Sequence, residues 1–387
     1  MDFSFTEEQE MWRENLQRFC RKELNREYVR WLDENVNFPP DDLWQKMADL
    51  GILGIIIPER YGGSGLGFME ATIMYEEIAK ASAAVALALG VTIGLGARTI
   101  LDHGTEEQKQ KYLPGIASGK LRWAMALTEP GGGTDILGAI KTYAIPDGND
   151  YVINGQKIFI SGAHKADYIN TIVITDLKAT DRAKALSIFI VDAKSPGLKI
   201  NPIRKVSNHA CAACEIFYED VRVPRENLIG TLNQGWYHLL STINPERFMC
   251  AAMSLGISEA IFEYVLQYSK ERFAFGKPIG QFMAIQHMLA DMALDIELGK
   301  NLVYKCAWLT DHNKPCQVEA VMAKLFTSER SIVHAANGME IMGGYGVCME
   351  YDMQRYFRDA RQFTFAPLNN EMCRNFIAQS YGLPRSF

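Results

Sequence analysis

The chain changes its hydrophobic periodicity twice, and this change constrains its fold more than any other feature. Residues 1–120 and 234–387 carry apolar positions at helical spacing, whereas residues 121–233 carry short runs rich in Val, Ile and aromatic residues. Because no long helical segment separates those runs, we expect antiparallel pairing. The sequence therefore predicts an α+β fold with an N-terminal helical domain (1–120), a middle antiparallel β-domain (121–233) and a C-terminal four-helix bundle (234–387).

Local signals place individual elements within these domains. Thr6 and Gln9 have the spacing of a capping box, which predicts a helix that begins directly after Thr6. Asn154-Gly155 lies between two strand-like runs and predicts a tight hairpin turn. Three long amphipathic segments predict the helices of the C-terminal bundle: residues 236–275, 281–311 and 317–341.

Charge and cysteine usage exclude several classes of function. The chain has 40 basic and 46 acidic residues and a net charge of -6, which argues against a nucleic-acid partner. Its most apolar stretch, residues 81–95, is shorter than the roughly 18 residues that a membrane span needs, so we expect no span. The N-terminal residues carry no secretory signal, and the cysteines are scattered, which together indicate reduced thiols in a cytoplasmic protein. The histidines lack metal-ligand spacing, so we expect no metal site.

Three glycine-rich or basic segments could bind a ligand. Residues 128–135 (TEPGGGTD) form a loop whose backbone can approach a flat or phosphorylated molecule, although a structural turn explains it equally well. Gly343-Gly344 follows a long helix and could simply end it. Residues 271–280 form a basic and aromatic turn, in which Arg272 could pair with a pyrophosphate.

Taken in order, the motifs of the chain closely resemble those of the acyl-CoA dehydrogenase family. The resemblance runs nearly end to end and departs mainly in about the last 25 residues. It implies FAD as cofactor, an acyl-CoA substrate, an electron-transfer flavoprotein as partner, and a homotetramer in which FAD bridges two subunits. The matching segments are ALTEPGGGTD (126–135), KIFISGA (157–163), FYEDVRVPRENLIG (217–230), RFAFGKPIGQF (272–282) and IMGGYG (341–346).

The resemblance also assigns roles to single residues. Phe159 matches an aromatic against the flavin and Ser161 a hydroxyl that faces its N5 atom. Arg272 and Phe275 match residues that a neighbouring subunit offers to the FAD diphosphate and adenine. The full set of FAD-binding candidates is Ala126, Leu127, Thr128, Gly133, Thr134, Phe159, Ile160, Ser161, Arg272, Phe275, Met283, Glu340, Gly343, Gly344 and Asn369, and the substrate-binding candidates are Val91, Thr134, Asn244, Arg247 and Pro367.

The family pattern breaks at its usual catalytic glutamate. Pro367 stands there, which removes both the carboxylate and the backbone N–H that in the family donates to the thioester oxygen. Some relatives, isovaleryl-CoA dehydrogenase among them, carry the base on the first helix of the C-terminal domain. Glu246 matches that position and Arg247 follows as expected, although a solvated glutamate near a helix start is the alternative. The resemblance therefore indicates Glu246 as the catalytic base.

Further departures bear on the substrate. Met283 and Glu340 replace two glutamines of the FAD site, and residues 205–209 (KVSNH) replace a family loop that we expect near the acyl pocket. Val91 stands where relatives that act on alicyclic esters carry an acid, so a 1,4-elimination that uses an acid at that position is not supported, while a ring substrate stays open. We therefore expect an FAD-dependent dehydrogenase that converts a branched or alicyclic acyl-CoA to the enoyl-CoA, with hydride passing to flavin N5.

Three alternatives remain open from the sequence. The same site could run in reverse as an enoyl-CoA reductase. It could also carry out a 1,4-dehydrogenation of a cyclic enoyl-CoA, such as cyclohexene-carboxyl-CoA, with a base other than Glu246. The third alternative is a flavoprotein that binds CoA esters without catalysis.

Overall fold

The computed structural model describes residues 4–384, apart from the side chain of Asn244. The N-terminal domain contains the helices α1 (Glu7–Glu23), α2 (Arg26–Asn35), α3 (Asp41–Asp49), α4 (Phe68–Ala81), α5 (Ala83–Leu89), α6 (Arg98–His103) and α7 (Glu106–Ala117). The capping box that the sequence predicts is present. The Gln9 backbone N–H donates to Thr6 Oγ1 at 3.3 Å, and the Thr6 N–H donates to Gln9 Oε1 at 3.1 Å.

A π-helical segment, Gly90–Ala97, joins α5 to α6, so the helix continues through Ala83–His103. By length and composition, this helix and Gly235–Glu271 are long and apolar enough to cross a membrane. The fold itself buries 72% and 78% of their most apolar windows. The expectation that no apolar stretch is long enough to span a membrane was wrong, because Ala83–His103 has 21 residues and Gly235–Glu271 has 37. Their burial is that of core helices.

The middle domain is one eight-stranded sheet with the order β6-β7-β3-β2-β4-β5-β8, in which β1 also pairs with β4. The β1–β4 and β2–β4 pairs are parallel and the other pairs are antiparallel. The predicted fold class is therefore confirmed, with two parallel pairs inside a mainly antiparallel sheet. The elements are β1 (Trp123–Ala126), α8 (Ile136–Ala139), β2 (Tyr143–Asp147), β3 (Asp150–Ser161), β4 (Tyr168–Ile174), β5 (Leu186–Asp192), β6 (Leu198–Ile203), β7 (Ala213–Pro224) and β8 (Leu228–Ile229).

The predicted hairpin at Asn154-Gly155 is wrong. β3 passes through both residues, and the turn lies instead between β2 and β3, where Asp147 pairs with Asp150. Gly155 has φ 146° at a register shift between β3 and β7, and a Cβ there would lie 2.5 Å from Thr142 Oγ1. Glycine is needed at this position for a β-bulge and a close approach, which give the same local sequence signal as a turn.

Alternating side chains of the sheet form two apolar cores. Trp123 and Met125 face one core, together with Ile57, Ile100 and Leu113 from the N-terminal domain. Ala124 and Ala126 face the other core, since successive strand residues point to opposite faces. The sheet is thereby fixed against the N-terminal helices on one side.

The C-terminal domain consists of long helices that pack on the N-terminal ones. Its elements are α9 (Gly235–Glu271), β9 (Phe273–Ala274), β10 (Lys277–Pro278), α10 (Met283–Asp311), α11 (Gln317–Met342), α12 (Gly344–Val347), α13 (Met353–Gln362) and α14 (Asn370–Ser380). One continuous apolar core includes Tyr75 and Ile78 of α4 with Phe248 and Met253 of α9. The two helical domains therefore share a core, which brings α4 and the segment Gly90–Ala97 against α9.

Candidate active site

The glycine-rich loop after β1 is held by a buried ion pair. Lys157 Nζ lies 2.9 Å from Glu129 Oε1 and donates to the Leu127 carbonyl at 3.0 Å. Glu129 also accepts backbone hydrogen bonds from Lys141 and Thr142 at 2.7 and 3.0 Å. The charge of Lys157 and these donors hold the pKa of Glu129 below its usual value. Neither residue is among the site residues predicted from the sequence, although a lysine within the apolar pattern of a strand is a usable signal.

Phe159 presents an exposed ring beside this loop. Its side chain is 62% exposed and its φ is 60°, in the left-handed region that a phenylalanine rarely adopts. The neighbouring Ile158 N–H donates to the Thr128 carbonyl at 2.9 Å, which ties the strand to the loop. A strained backbone that exposes an aromatic ring beside a fixed loop suits a flat ligand. The side chains of Ala126 and Ile160 are buried in the sheet core, so they can contact such a ligand only through their backbones.

A hydrogen bond joins the loop to the C-terminal domain. Asn369 Nδ2 donates to Thr134 Oγ1 at 2.6 Å, and Asn369 Oδ1 accepts from the Met372 N–H at 2.8 Å as the N-cap of α14. Pro367 is exposed two residues earlier. The structure thus brings Thr134 of the β-domain to Asn369 of the C-terminal domain, two residues after Pro367.

Lys324 supports the segment that contains Pro367. It is 1% exposed, and its Nζ donates to the Leu368 carbonyl at 2.5 Å, to Asn370 Oδ1 at 2.6 Å and to the Thr364 carbonyl at 3.3 Å. Burial lowers the pKa of Lys324. Lys324 is likewise absent from the site residues predicted from the sequence, because its partners lie 40 to 46 positions away along the chain.

The loop of residues 205–209 packs against α13. Lys205 Nζ, Ser207 Oγ and Asn208 Nδ2 all donate to Gln362 Oε1, at 3.3, 3.1 and 3.1 Å. The Asn208 N–H donates to Asp359 Oδ1 at 2.6 Å. This loop therefore braces α13, the helix that leads to Pro367, and its expected place near the acyl pocket stays a prediction.

Glu246 lies in α9, directly after Pro245, and is partly buried. Burial raises the pKa of its carboxyl to about 7, and the adjacent Arg247 opposes this shift. Arg247 is nearly buried, and its guanidinium lies 5.7 Å from the ring centre of Phe376 in α14. A carboxyl with a pKa near neutrality can take up a proton at physiological pH, which is the property that a general base requires.

Two other substrate candidates lie near this region. Val91 is buried in the π-helical segment and packs with Ala124 and Ala126 of β1. The side chain of Asn244 lies outside the described residues, so its predicted role stays a prediction.

The remaining FAD candidates form a second group at the end of α11. A groove of about 410 Å³ is lined by Arg272, Glu340, Gly343 and Gly344, together with Tyr345 and other residues of the C-terminal domain. The Arg272 guanidinium lies 5.5 Å from the ring centre of Tyr345. Gly343 follows α11 with φ 57°, so it also ends the helix. Phe275 and Met283 lie on the adjacent turn and are 96% and 69% exposed.

These features fit FAD. Phe159 and the loop of residues 126–134 offer an exposed ring beside backbone and hydroxyl groups, which suits a flavin. The groove offers a guanidinium and an open glycine turn, which suit a diphosphate and an adenosine. The groove lining, in the part of the chain that the structure describes, contains no residue of the β-domain. Among residues 4–384, no group of three or more His, Cys, Asp or Glu could hold a metal ion.

Comparison with protein-family models matches the chain in three consecutive parts. Residues 6–120 match the acyl-CoA dehydrogenase N-terminal domain, residues 124–221 its middle domain and residues 233–382 its C-terminal domain. These matches cover most of the chain.

Similar proteins match over nearly their full lengths. The chain is 39% identical to the probable acyl-CoA dehydrogenase YngJ of Bacillus subtilis over 98% of this chain and 99% of that one. It is 39% identical to the caffeyl-CoA reductase-Etf complex subunit CarC of Acetobacterium woodii, over 93% and 94% of the two chains. It is 35% identical to cyclohex-1-ene-1-carbonyl-CoA dehydrogenase of Syntrophus aciditrophicus, over 98% and 91%.

Solved structures agree with this assignment. The butyryl-CoA dehydrogenase of Megasphaera elsdenii superimposes with a TM-score of 0.93 at 33% identity, covering 98% of this chain and 100% of that one. An FAD complex of PigA superimposes with a TM-score of 0.93 at 27% identity, covering 99% and 100%. The chain therefore belongs to the acyl-CoA dehydrogenase family and is an FAD-dependent oxidoreductase of acyl-CoA thioesters.

Proposed function

We propose that this enzyme oxidises a branched or ring-bearing acyl-CoA, with Glu246 as the catalytic base. The proposal rests on the residues found at positions 246 and 367, the two places where this family carries its catalytic glutamate. Pro367 offers neither a carboxylate nor an N–H, whereas Glu246 offers a partly buried carboxyl with its pKa raised to about 7. The chain therefore holds a suitable acid on α9 and none at the family's usual position.

In this mechanism, the Glu246 carboxylate takes a proton from the carbon next to the thioester carbonyl. FAD, when bound, supplies the acceptor for the hydride that leaves the adjacent carbon, and the two losses leave a carbon–carbon double bond. Arg247 holds its positive charge beside Glu246 and keeps part of the carboxyl population ionised. Asn369 and Thr134 hold the flavin-side loop against the C-terminal domain.

A branched or ring-bearing acyl group is supported by two arguments. The base position on α9 resembles that of isovaleryl-CoA dehydrogenase. The relative from Syntrophus aciditrophicus is named for a six-membered ring substrate. We test this with anaerobic bleaching of the flavin absorbance by butyryl-CoA, isovaleryl-CoA, cyclohexanecarboxyl-CoA and cyclohex-1-ene-1-carbonyl-CoA. The proposal expects a branched or ring ester to bleach at least ten times faster than butyryl-CoA, and equal or faster bleaching by butyryl-CoA would contradict it.

The reductase direction is the second candidate, and one relative favours it by name as a subunit of a caffeyl-CoA reductase. The sequence of events is then reversed, with Glu246 giving its proton to the substrate carbon. Flavin reduced with dithionite and mixed with cinnamoyl-CoA tests this direction. The reductase direction is favoured if cinnamoyl-CoA reoxidises the reduced flavin faster than the fastest acyl-CoA ester bleaches the oxidised flavin.

We further propose an electron-transfer flavoprotein as redox partner, a homotetramer as assembly and the cytoplasm as location. The named complex of a relative with Etf supports the partner. The exposure of Phe275 and Met283 supports an interface, because large apolar side chains left in water favour burial against another subunit. All eight cysteines are free, which is consistent with a reducing compartment. Light scattering of the purified protein tests the assembly, and a monomer that retains FAD would contradict it.

A further inference from the structure

Tyr75 is a buried tyrosine whose hydroxyl has no partner. It lies within α4 and is 0% exposed, and its Oη finds no hydrogen-bond partner in the part of the chain that the structure describes. Most buried hydroxyls in folded proteins are bonded, since burial without a bond is unfavourable. An unpaired hydroxyl in the core shared by α4 and α9 therefore calls for a ligand or a function.

The space around this hydroxyl is bounded by glycine and methionine. A Cβ at position 94 would lie 3.9 Å from Tyr75 Oη and 3.6 Å from Met249 Sδ, both ordinary van der Waals contacts. Gly94 thus leaves a methyl-sized space next to the hydroxyl. At Gly90 a Cβ would lie 2.9 Å from Met253 Cε, so the wall is tightly packed there. These glycines belong to the π-helical segment, a distortion that is frequent at functional sites.

The same wall carries the proposed base. Met249 and Cys250 follow Glu246 by three and four residues, so all three share one side of α9. Burial raises the pKa of Tyr75, and the negative charge of the Glu246 carboxylate raises it further. The tyrosine hydroxyl therefore stays protonated and can donate a hydrogen bond close to the residue that handles the substrate proton.

We infer that the Tyr75 hydroxyl binds an oxygen of the acyl group and selects acyl-CoA esters that carry a hydroxyl or carbonyl on an otherwise apolar chain or ring. This inference rests on the proposed function, because it assumes that the acyl group occupies the region beside Glu246. The methionines fit the apolar part, since a thioether adapts to irregular shapes and packs well on aromatic rings. A single phenolic hydroxyl among apolar side chains then distinguishes acyl groups that carry an oxygen from otherwise similar acyl groups that lack it.

The test compares Tyr75→Phe with the parent on two matched pairs of esters. The pairs are 3-phenylpropionyl-CoA with 3-(4-hydroxyphenyl)propionyl-CoA, and cyclohexanecarboxyl-CoA with 4-hydroxycyclohexanecarboxyl-CoA. We expect the second-order rate constant of anaerobic flavin bleaching to fall at least ten-fold for the hydroxylated member of one pair. The unsubstituted member should change less than three-fold. Equal changes for both members, or no change for either, would overturn the inference.

A second readout needs no turnover. Tyr75→Phe removes an unpaired buried hydroxyl, so we expect the melting temperature of the ester-free holoenzyme to rise. Tyr218→Phe is the matched control, because Tyr218 is equally buried but its hydroxyl lies 3.0 Å from Thr171 Oγ1, and its melting temperature should fall. A fall in Tyr75→Phe would show that the hydroxyl is already bonded and would overturn the inference.

Calorimetric titration of the holoenzyme with the same esters separates this inference from the proposed function. Tighter binding of the hydroxylated ester that disappears in Tyr75→Phe, without bleaching by any ester, would support the role of Tyr75 and contradict the proposed reaction. Bleaching by the unsubstituted esters, with no preference of the parent for binding the hydroxylated ester, would support the proposed reaction and contradict the role of Tyr75.

Discussion

Asn369 donates a hydrogen bond from its Nδ2 to the hydroxyl of Thr134 at 2.6 Å, across 235 positions of the sequence. This bond joins the glycine-rich loop of the β-domain to the segment that carries Pro367.

A double-mutant cycle of Thr134→Val and Asn369→Ser measures this link. Serine caps a helix about as well as asparagine but is too short to reach Thr134, so α14 should keep its cap. We expect a coupling energy of about 0.5–1.5 kcal/mol in urea unfolding, the net value of one hydrogen bond. Strictly additive effects would show that the bond contributes nothing.

Lys157→Met should destabilise the protein and weaken FAD binding. The substitution leaves Glu129 charged and buried without its partner, which typically costs about 3–5 kcal/mol. The matched control is Lys199→Met, whose ion pair with Glu219 is 63% exposed on both sides and should contribute below about 1 kcal/mol. The measurements are urea unfolding and the FAD content after dialysis. Equal effects of the two substitutions would contradict the role assigned to the buried pair.

Lys324→Met should loosen the segment around Pro367. The Leu368 carbonyl loses its donor, whereas the Thr364 carbonyl keeps the Asn370 N–H and Asn370 Oδ1 keeps the Ser328 hydroxyl. One unsatisfied buried group costs about 1–3 kcal/mol. We expect faster amide hydrogen exchange across residues 363–370 and a loss of stability of about 1–3 kcal/mol. Lys305→Met serves as control, since Lys305 is 56% exposed and its partner Glu319 is 30% exposed. Unchanged exchange in that segment would show that Lys324 does not hold it.

The raised pKa of Glu246 predicts opposite effects of pH on activity and on stability. The base must be ionised, so the bleaching rate should rise with pH through about 7. In the folded protein the Glu246 carboxyl binds its proton more tightly than a carboxyl with the ordinary pKa of 4.5 does. The folded state therefore holds more protons between about 4.5 and 7, and its stability falls as pH rises through that window.

Glu246→Gln removes this titration. The difference in melting temperature between the variant and the parent should therefore increase from pH 5 to pH 8. Glu371→Gln, a change of an exposed carboxyl in the first turn of α14, should show no such trend. A constant difference for Glu246→Gln would mean that the pKa of this carboxyl is not raised.

The sequence predicts what local patterns determine and misses what distant partners determine. The capping box at Thr6 and the break at Pro367 involve neighbouring residues or a single position, so both are visible in the sequence. Asn154-Gly155 misled because a bulge and a turn demand the same residue types. Lys157 and Lys324 act through partners 28 to 46 residues away, and no local pattern links them.

The hydroxyl of Tyr75 illustrates the same limit for the substrate site. In the sequence, Tyr75 resembles any other aromatic residue on the apolar face of a helix. Only the packing of α4 against α9 and the segment Gly90–Ala97 shows that its hydroxyl is unpaired. The substrate selectivity that we infer for Tyr75 therefore depends on contacts between helices that are far apart in the sequence.

The central claim is that Glu246 is the base, and single-turnover bleaching tests it most directly. The parent, Glu246→Gln and Glu371→Gln are loaded with FAD and mixed anaerobically with the fastest ester of the panel. We predict that Glu246→Gln bleaches at least about 100-fold more slowly than the parent, since a positioned base contributes about 10²–10⁴-fold, while Glu371→Gln stays within about three-fold. Bleaching of Glu246→Gln at the parent rate would contradict the claim.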